Sequence, residues 1–497
     1  MDDRALLGHP RGLGLLFAVE MWERFSYYGM RAILVLYLVN ALRWDTARAA
    51  GLYGTYTSLV YLTPLLGGYL ADRWLGTRHS LVLGGLVIAA GHFALAVPGP
   101  AAFHAGLGLV VIGTGLFKPS ASTMVGQLYR QGDPRRDAGY TIFYLGINVG
   151  AFLGPIVCGG LAQSERFGWH WGFGAAGVGM VLGVLVNLWG RRRYLAGIGL
   201  PSPPAPRAAG QAAVGRRTLL DGAGGAVAGG LLTLLASGTD PLALAMGATV
   251  GAALAVALLG TQGEERRRVV ALFVVVFFVV FFWAAYEQSG SSMNLFADRN
   301  TDLRVGGLEV PSSWLQSVNA LAILVFASPF AALWTALGRR GKEPSTALKM
   351  VLGLFLLGVG FLFMVEGGRR ADQGALVSPL WLVGAYLFHT FGELCLSPVG
   401  LSYVSKVAPP RFGGLLMGAW FLANAAANKL AGALAAYTPT PGAGKVAPAA
   451  GLGGLVQRAA ETNLGFYAIF VVSSLVAAAA MLLFVPLLQR LTASVRA

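Results

Sequence analysis

Residues 20–31 read EMWERFSYYGMR: two glutamates, two arginines and two tyrosines inside a segment that is apolar on both sides. On a wetted helix such a cluster would need no explanation, so the solvent around it decides what it means. Of the chain's 497 residues 56% are hydrophobic and only 12% charged, with a mean hydropathy of +0.64. That is too apolar for a soluble domain of this length and reads as an all-α polytopic membrane protein. A hydrocarbon core of ~30 Å takes about 20 mostly apolar residues per helix. Spans of that kind fall near 14–39, 50–70, 80–97, 105–127, 139–161, 171–190, 268–294, 313–336, 347–365, 378–405, 412–436 and 465–488. Their apolar runs are continuous rather than alternating, which argues against membrane strands. The opening MDDRALLGHPRG lacks a signal-peptide pattern, so the first span is expected to be retained.

The formal net charge of +15 invites a nucleic-acid reading, but the placement of the charges excludes it. Most of the 37 Lys and Arg residues lie in loops on the side of the N-terminus, and four (Arg24, Arg31, Lys118 and Lys429) fall within spans. By the positive-inside rule both termini are expected in the cytoplasm, and the basic excess is topology. The two cysteines, Cys158 and Cys395, both lie in spans and supply neither a disulfide framework nor metal-ligand spacing.

A compositional break divides the chain. The stretch GRRRYLAGIGLPSPPAPRAAGQAAVGRR, 190–217, is rich in Pro, Gly and Arg and reads as a cytoplasmic linker. Residues 218–236 and 240–260 then have the length and composition of two further helices, before EERRR at 264–268. The organisation is therefore an N-terminal six-helix bundle (1–193), a linker with two extra transmembrane helices (194–266) and a C-terminal six-helix bundle (267–497), 14 helices in all. Two six-helix halves suggest a transporter built on internal repeats with its site near the midplane. Spans 4 and 10 each place a proline beside polar residues, in LFKPSAS (Pro119) and CLSPVGLS (Pro398), which makes both candidates for bending gates. The competing account, an ordinary kink, applies to each proline alone and less well to their matching positions.

Charges at membrane depth are costly, roughly 2.5–3.5 kcal/mol each on the insertion scale, and face a partner or a wet cavity. Glu20, Arg24, Tyr27 or Tyr28, and Arg31 recur along one helical stripe, and Glu20 can pair with Arg24 four residues on. Other spans contain Lys118, Asn148, Glu287, Gln316, Asn319 and Glu393, cations from the first half and carboxylates from the second. A substrate with one anionic and one cationic end fits between them. Arg31 and Lys118 suit a carboxylate, the first by bidentate hydrogen bonds and the second as a point charge. Glu393 with Asn148 and Asn319 suits an ammonium. Trp283, Trp420, Tyr61 and Phe421 are pocket candidates, although membrane aromatics commonly just pack. Lys429, with no counter-charge nearby in sequence, and Glu366, at a span end, read as structural.

These residues resemble the proton-dependent oligopeptide transporters of the major facilitator superfamily, in their prokaryotic form. The resemblance rests on ExxERFxYYG, filled by Glu20, Glu23, Arg24, Phe25, Tyr27, Tyr28 and Gly29, followed in order by further blocks. These are YLTPLLGGYLADRWLG (61–76), GLFKPSASTMVG (115–126), YTIFYLGINVGAF (140–152), GWHWGFGAAGVGM (168–180), FWAAYEQSGSSMNLFADRNT (282–301) and FGELCLSPVGLS (391–402). It implies a major facilitator fold with two peripheral extra helices and a proton-coupled symporter importing di- and tripeptides. By the same resemblance Arg31 and Lys118 take the peptide carboxylate, while Asn148, Asn319 and Glu393 take its amino end. Tyr27, Tyr61, Trp283 and Trp420 shape the pocket and Ser397 lies near the gating bend. Glu20, Glu23 and Arg24 form a proton-coupling cluster, and Glu287 alternates between Lys118 or Arg31 and a proton. Ser80 and Leu81 depart mildly from the family pattern beside the gate. Span 2 lacks the histidine of animal members, so coupling is expected to rest on carboxylates, with His389 a packed, hydrogen-bonded histidine.

The mechanism this implies is alternating access about a central site. An outer gate is expected between Asp298 and Arg48 or Arg43, and Asp72 with Arg73 is expected to steady the inward-closed state. No cofactor is expected beyond protons as coupling ion, no metal site and no nucleic-acid partner. The protein is expected to act as a monomer in the inner membrane. The alternative within transport is a carrier of another small anionic or zwitterionic solute such as nitrate, an amino acid or a drug. A membrane enzyme is disfavoured: His9, His79, His92, His104, His170 and His389 are scattered, and neither GxSxG nor HExxH occurs.

Overall fold

The computed structural model of the chain describes residues 8–130, 132–200, 216–237, 240–409, 412–440 and 451–493. The first six long helices are α1 (Arg11–Leu36), α2 (Thr46–Leu70), α3 (Thr77–Leu95), α4 (Pro100–Gln127), α5 (Arg136–Ala162) and α6 (Trp169–Tyr194). A helical pair follows, α7 (Arg216–Ser237) and α8 (Pro241–Leu259). The remaining helices are α9 (Gly263–Tyr286), the short α10 (Ser292–Asn300), α11 (Ser317–Arg339), α12 (Thr346–Ala371), α13 (Leu380–Val407), α14 (Gly413–Ala435), the short α15 (Gly451–Ala459) and α16 (Asn463–Leu491). A two-residue β-hairpin, Arg304–Val305 with Leu308–Glu309, caps the turn after α10. Most of the linker read at 190–217 lies outside the described residues, as do parts of the connection before α15.

Among the described residues nine helical segments are long and apolar enough to cross a membrane by length and composition. The polar stripe of α1 sets it apart from these, with Glu20, Glu23, Arg24 and Arg31 all buried on one helix. Helix starts follow side-chain chemistry. Asp45, Asp240, Ser345 and Thr462 each accept a backbone N–H of the first turn of α2, α8, α12 and α16.

Helices α1–α6 pack together, with α1 against α5 and α6, and α4 against α2 and α3. Helices α9, α11–α14 and α16 form a second body, with α12 between α13 and α16. Glycine lets α1 and α5 approach closely: a Cβ on Gly29 would come 2.5 Å from Cys158 Sγ and 3.0 Å from the Gly154 carbonyl. The same device joins the two bodies, where α2 crosses α14. A Cβ on either Gly54 or Gly432 would meet the other's Cα at 2.6 Å.

The expected continuous span over 268–294 is broken. α9 ends at Tyr286, residues Glu287–Gly290 form a 3-10 turn, and α10 begins at Ser292. Serines 289, 291 and 292 and Gly290 are poor helix formers, and the Ser292 hydroxyl donates back to Gln288 Oε1 at 2.7 Å. The extra pair α7–α8 is not merely peripheral. α8 packs on α14 and α9, its Met246 sits beside Leu422 and Ala425, and Ser58 of α2 donates to Met246 Sδ at 3.5 Å.

Candidate functional site

The polar stripe of α1 faces the centre, where a cavity opens between the two bodies. Its wall includes Tyr28 and Arg31 from α1, Tyr61 from α2, Tyr144 and Asn148 from α5, and Trp283, Tyr286 and Glu287 at the end of α9. Gln316 just before α11, Asn319 on its first turn, and Tyr386 and Glu393 from α13 also line it.

Two charged arrangements dominate. At one wall the Arg31 guanidinium pairs with the Glu287 carboxylate and donates through Nε to Tyr53 Oη at 2.6 Å. Both members of the pair are buried, Arg31 at 6% exposure and Glu287 at 3%, so a charge is withdrawn from water on each side and held by the other. At the other wall the Glu393 carboxylate collects three donors. The Tyr286 hydroxyl donates to Oε2, Asn319 Nδ2 reaches the same oxygen at 3.3 Å, and Tyr144 Oη reaches Oε1 at 3.5 Å. Asn319 Nδ2 also donates to Thr390 Oγ1 at 2.8 Å, which fixes the amide's direction. All three donors to Glu393 are neutral, which leaves it suited to a cation.

Lys118 projects from α4 with its Nζ 4.2 Å from the Tyr61 ring centroid, within electrostatic reach of Glu23, Glu20 and Glu287. Glu287 thus pairs with Arg31 and not with Lys118. Towards the start of α1, Arg24 pairs with Glu23 and, at 3.1 Å, with Glu20. One oxygen of each glutamate and Nη2 of Arg24 have no protein partner although buried.

The structure rearranges several sequence expectations. Tyr28 rather than Tyr27 is in the cavity wall. Tyr27 is buried at 2% exposure, edge-on to Tyr28 and against Arg24, its hydroxyl without a protein partner. Both tyrosines lie within a turn of Arg31 on its face of α1, and packing separates them: the Tyr27 ring lies under Arg24, the Tyr28 ring beside Arg31. Trp420 is buried in the core of the second body and is not part of the cavity wall. Asp298 does not meet Arg48 or Arg43: it accepts from Asn40 Nδ2 at 2.9 Å and Ser312 Oγ at 3.1 Å. The Arg48 guanidinium instead lies 3.8 Å from the Trp44 ring centroid. His389 is packed 4.5 Å from the Phe361 ring centroid, yet neither ring nitrogen has a protein partner, so the expected hydrogen bond is not made.

Asp72 and Arg73 are exposed on the turn after α2, and Pro119 packs beside Gly68. The side chains of Ser397 and Pro398 lie outside the described residues. Lys429, read as unpaired, finds Asp240 at 2.7 Å and Thr55 Oγ1 at 2.9 Å. The sequence reading passed over Tyr144, Tyr286 and Tyr386 as functional candidates. Of these, Tyr286 lies next to Glu287 and Tyr144 one turn before Asn148, whereas Tyr386 has no such neighbour.

Further links between the bodies lie at the start of α2 and the end of α5. Thr46 meets Thr440 at 2.9 Å, Gln163 Nε2 donates to Ser312 Oγ at 2.8 Å, and Trp314 Nε1 donates to the Ile156 carbonyl at 2.9 Å. Arg299 reaches Thr46 there as well, at 3.2 Å.

Comparison with known proteins adds identity to this geometry. The model of the POT family matches residues 78–446. The chain is 38% identical over 459 residues to the Peptide transporter YePEPT of Yersinia enterocolitica, covering 87% of this chain and 89% of that one. It is 35% identical over 450 residues to a Di-/tripeptide transporter of Lactococcus lactis subsp. cremoris, covering 86% and 89%. A crystal structure of a mutant peptide transporter POT in complex with alafosfalin superposes with a TM-score of 0.79 at 36% identity, covering 98% of this chain and 97% of that one.

Proposed function

This chain belongs to the POT family and is a multi-pass membrane transporter, and from that premise we propose that it is a proton-coupled symporter importing di- and tripeptides by alternating access. The observation that carries the substrate class is the division of charge in the central cavity. Arg31, with Lys118 nearby, belongs to the first body, while Glu393, held only by neutral donors, belongs to the second. A short zwitterion spanning the two would draw them together. A single inorganic anion would leave Glu393 unmatched.

In this reading residues 1–193 and 267–497 are the rocking halves, and residues 194–266 supply the extra pair. Both termini are cytoplasmic by the positive-inside rule, and the membrane is the inner membrane. The links between the halves at Asn40–Asp298, Thr46–Thr440 and Gln163–Ser312 then close the outer side, so the arrangement faces inward. The exposed Asp72 and Arg73 are free to make the inner closure in the other state.

Protons enter the cycle at Glu287. Ionised, it neutralises Arg31; protonated, it releases Arg31 to bind a peptide carboxylate by paired hydrogen bonds. Deprotonation on the inner side re-forms the ion pair and displaces the peptide. Glu20, Glu23 and Arg24 serve as the adjoining proton store, next to Lys118. Asn148 and Asn319 orient the amino end, and Tyr61 and Trp283 line the side-chain space. The unit of function is the monomer. Competition for labelled dialanine uptake tests the substrate class: unlabelled dipeptides and tripeptides should compete and nitrate should not. Competition by nitrate alone would overturn it.

A further inference from the structure

Tyr286 and Glu287 are neighbours in sequence with different partners. Tyr286 is the last residue of α9 and donates to Glu393, whereas Glu287 opens the 3-10 turn and holds Arg31. Successive side chains on a helix diverge by about 100°, so one helix end aims the first residue at α13 and the second at α1. The Tyr286 ring is gripped on its own helix, stacked on Phe282 at 5.7 Å and edge-on to Trp283 at 5.1 Å. Just beyond Glu287 the chain is fastened to other helices. Gln288 Nε2 donates to the Ala431 carbonyl at 3.0 Å, and Tyr386 Oη donates to the Ser289 carbonyl at 3.4 Å. The change from α-helix to 3-10 turn thus falls between the Tyr286 ring and the anchored residues 288 and 289.

We propose that Tyr286 is the positioning residue that couples the Glu393 carboxylate to the Glu287–Arg31 ion pair, so that a peptide amino group arriving at Glu393 loosens Glu287 for a proton. The proposal rests on reading Glu393 as the ammonium site. An ammonium is a charge-assisted donor, roughly twice as strong as the neutral phenol, so it displaces the Tyr286 hydroxyl from Oε2. The phenol keeps its proton and loses only its acceptor. Released, the Tyr286 hydroxyl no longer ties the last turn of α9 to α13, and with residues 288 and 289 still anchored the adjustment falls on the Glu287 carboxylate. Hydrogen bonds weaken steeply off line, so a small rotation is enough to weaken the pair with Arg31. The coupling runs both ways: a proton on Glu287 frees Arg31 and slackens Tyr286 at Glu393, which raises affinity for the ammonium.

The titratable groups facing this junction are Tyr27, Tyr28 and Arg31 from α1, Tyr53 and Tyr61 from α2, Lys118 from α4, Tyr144 from α5, and Tyr386, His389 and Glu393 from α13. Unlike any of these, Tyr286 is both bonded to Glu393 and covalently adjacent to Glu287.

The test is the pH dependence of dialanine binding to the purified full-length protein, compared for wild type, Tyr286→Phe and Tyr286→Gln. In wild type the Kd should tighten on acidification by about fivefold or more, the lower end of ordinary coupling energies. Tyr286→Phe removes one oxygen, so it should still bind dialanine and catalyse counterflow, but with a pH dependence of Kd clearly smaller than in wild type, what remains being the direct release of Arg31 by a protonated Glu287. Tyr286→Gln retains a side-chain N–H donor and should recover at least part of the dependence. A wild-type pH dependence in both variants would overturn the proposal, as would its absence in wild type. Loss of affinity and counterflow together in Tyr286→Phe would also overturn it, making Tyr286 a binding residue instead. Glu393→Gln separates the underlying reading: if dialanine affinity survives that change, the ammonium assignment fails whatever Tyr286 does.

Discussion

Arg31 on α1 and Glu287 at the end of α9 form a buried ion pair that joins the two halves of the protein at their centre. Each end is held: Arg31 by Tyr53 from the neighbouring helix, Glu287 by a 3-10 turn anchored to α13 and α14. Removing one member of such a pair leaves an uncompensated charge, at a cost of about 3–5 kcal/mol. A proton on Glu287 has the same effect on Arg31 unless another anion takes its place. A peptide carboxylate is such an anion, and this is how one ion pair can tie protons to substrate.

Glu287→Gln should therefore abolish uphill, proton-driven uptake of dialanine in proteoliposomes while counterflow exchange persists, because the neutral amide permanently mimics the protonated acid. Uphill uptake at the wild-type rate would remove Glu287 from the coupling role.

Glu393→Gln should weaken dialanine binding by about 10- to 100-fold, the equivalent of one charged hydrogen bond at roughly 1.5–3 kcal/mol. N-acetylated dialanine, which has no ammonium, should bind wild type and variant alike. Calorimetric titration of both ligands checks this, and an equal loss for the two would point to general damage of the pocket.

Gly54→Val should disfavour the closed seam between α2 and α14, where even one added carbon would meet the Gly432 Cα at 2.6 Å. The halves would then rest apart at the Asn40–Asp298 side. A cysteine placed at Ser312 should react faster with a membrane-impermeant maleimide added outside in this variant than in the unaltered background, and peptide uptake should fall.

Lys429→Ala should lower thermal stability without abolishing transport, since Lys429 ties α14 to Asp240 at the foot of α8 and to Thr55 of α2. The hydrogen bond from Lys429 holds the Asp240 carboxyl below the usual carboxylate range. A carboxyl lowered in the folded state contributes stability above its unfolded pKa of about 3.9, and loses it as pH falls through the lower folded value. The deficit of the variant should thus be the same at pH 8 and pH 5, as read by melting temperature in detergent. A deficit confined to alkaline pH would contradict the pairing.

Much of this site is legible in the sequence because charges inside apolar spans are few and expensive. Glu20, Arg24, Arg31, Lys118, Glu287 and Glu393 stand out on that ground alone, and the structure brings Arg31, Glu287 and Glu393 to one cavity. What escapes is choice among near-equivalent neighbours. Helical spacing admits both Tyr27 and Tyr28 to the stripe, and only packing against Arg24 decides which one turns inward. Opposite charge suggested an arginine for Asp298, whereas the fold delivers Asn40 and Ser312 and stacks Arg48 on Trp44. Tyr144, Tyr286 and Tyr386 are hidden because tyrosines in membrane bundles usually only pack. Their hydroxyl partners come from other helices, hundreds of residues away in the case of Tyr144 and Glu393.

Uptake of labelled dialanine and trialanine into proteoliposomes, with and without an inward proton gradient, tests the central claim most directly. Symport predicts accumulation above the external concentration when the gradient is imposed, and its collapse when a protonophore is added. Peptide levels that merely equilibrate, unchanged by the gradient, would contradict it.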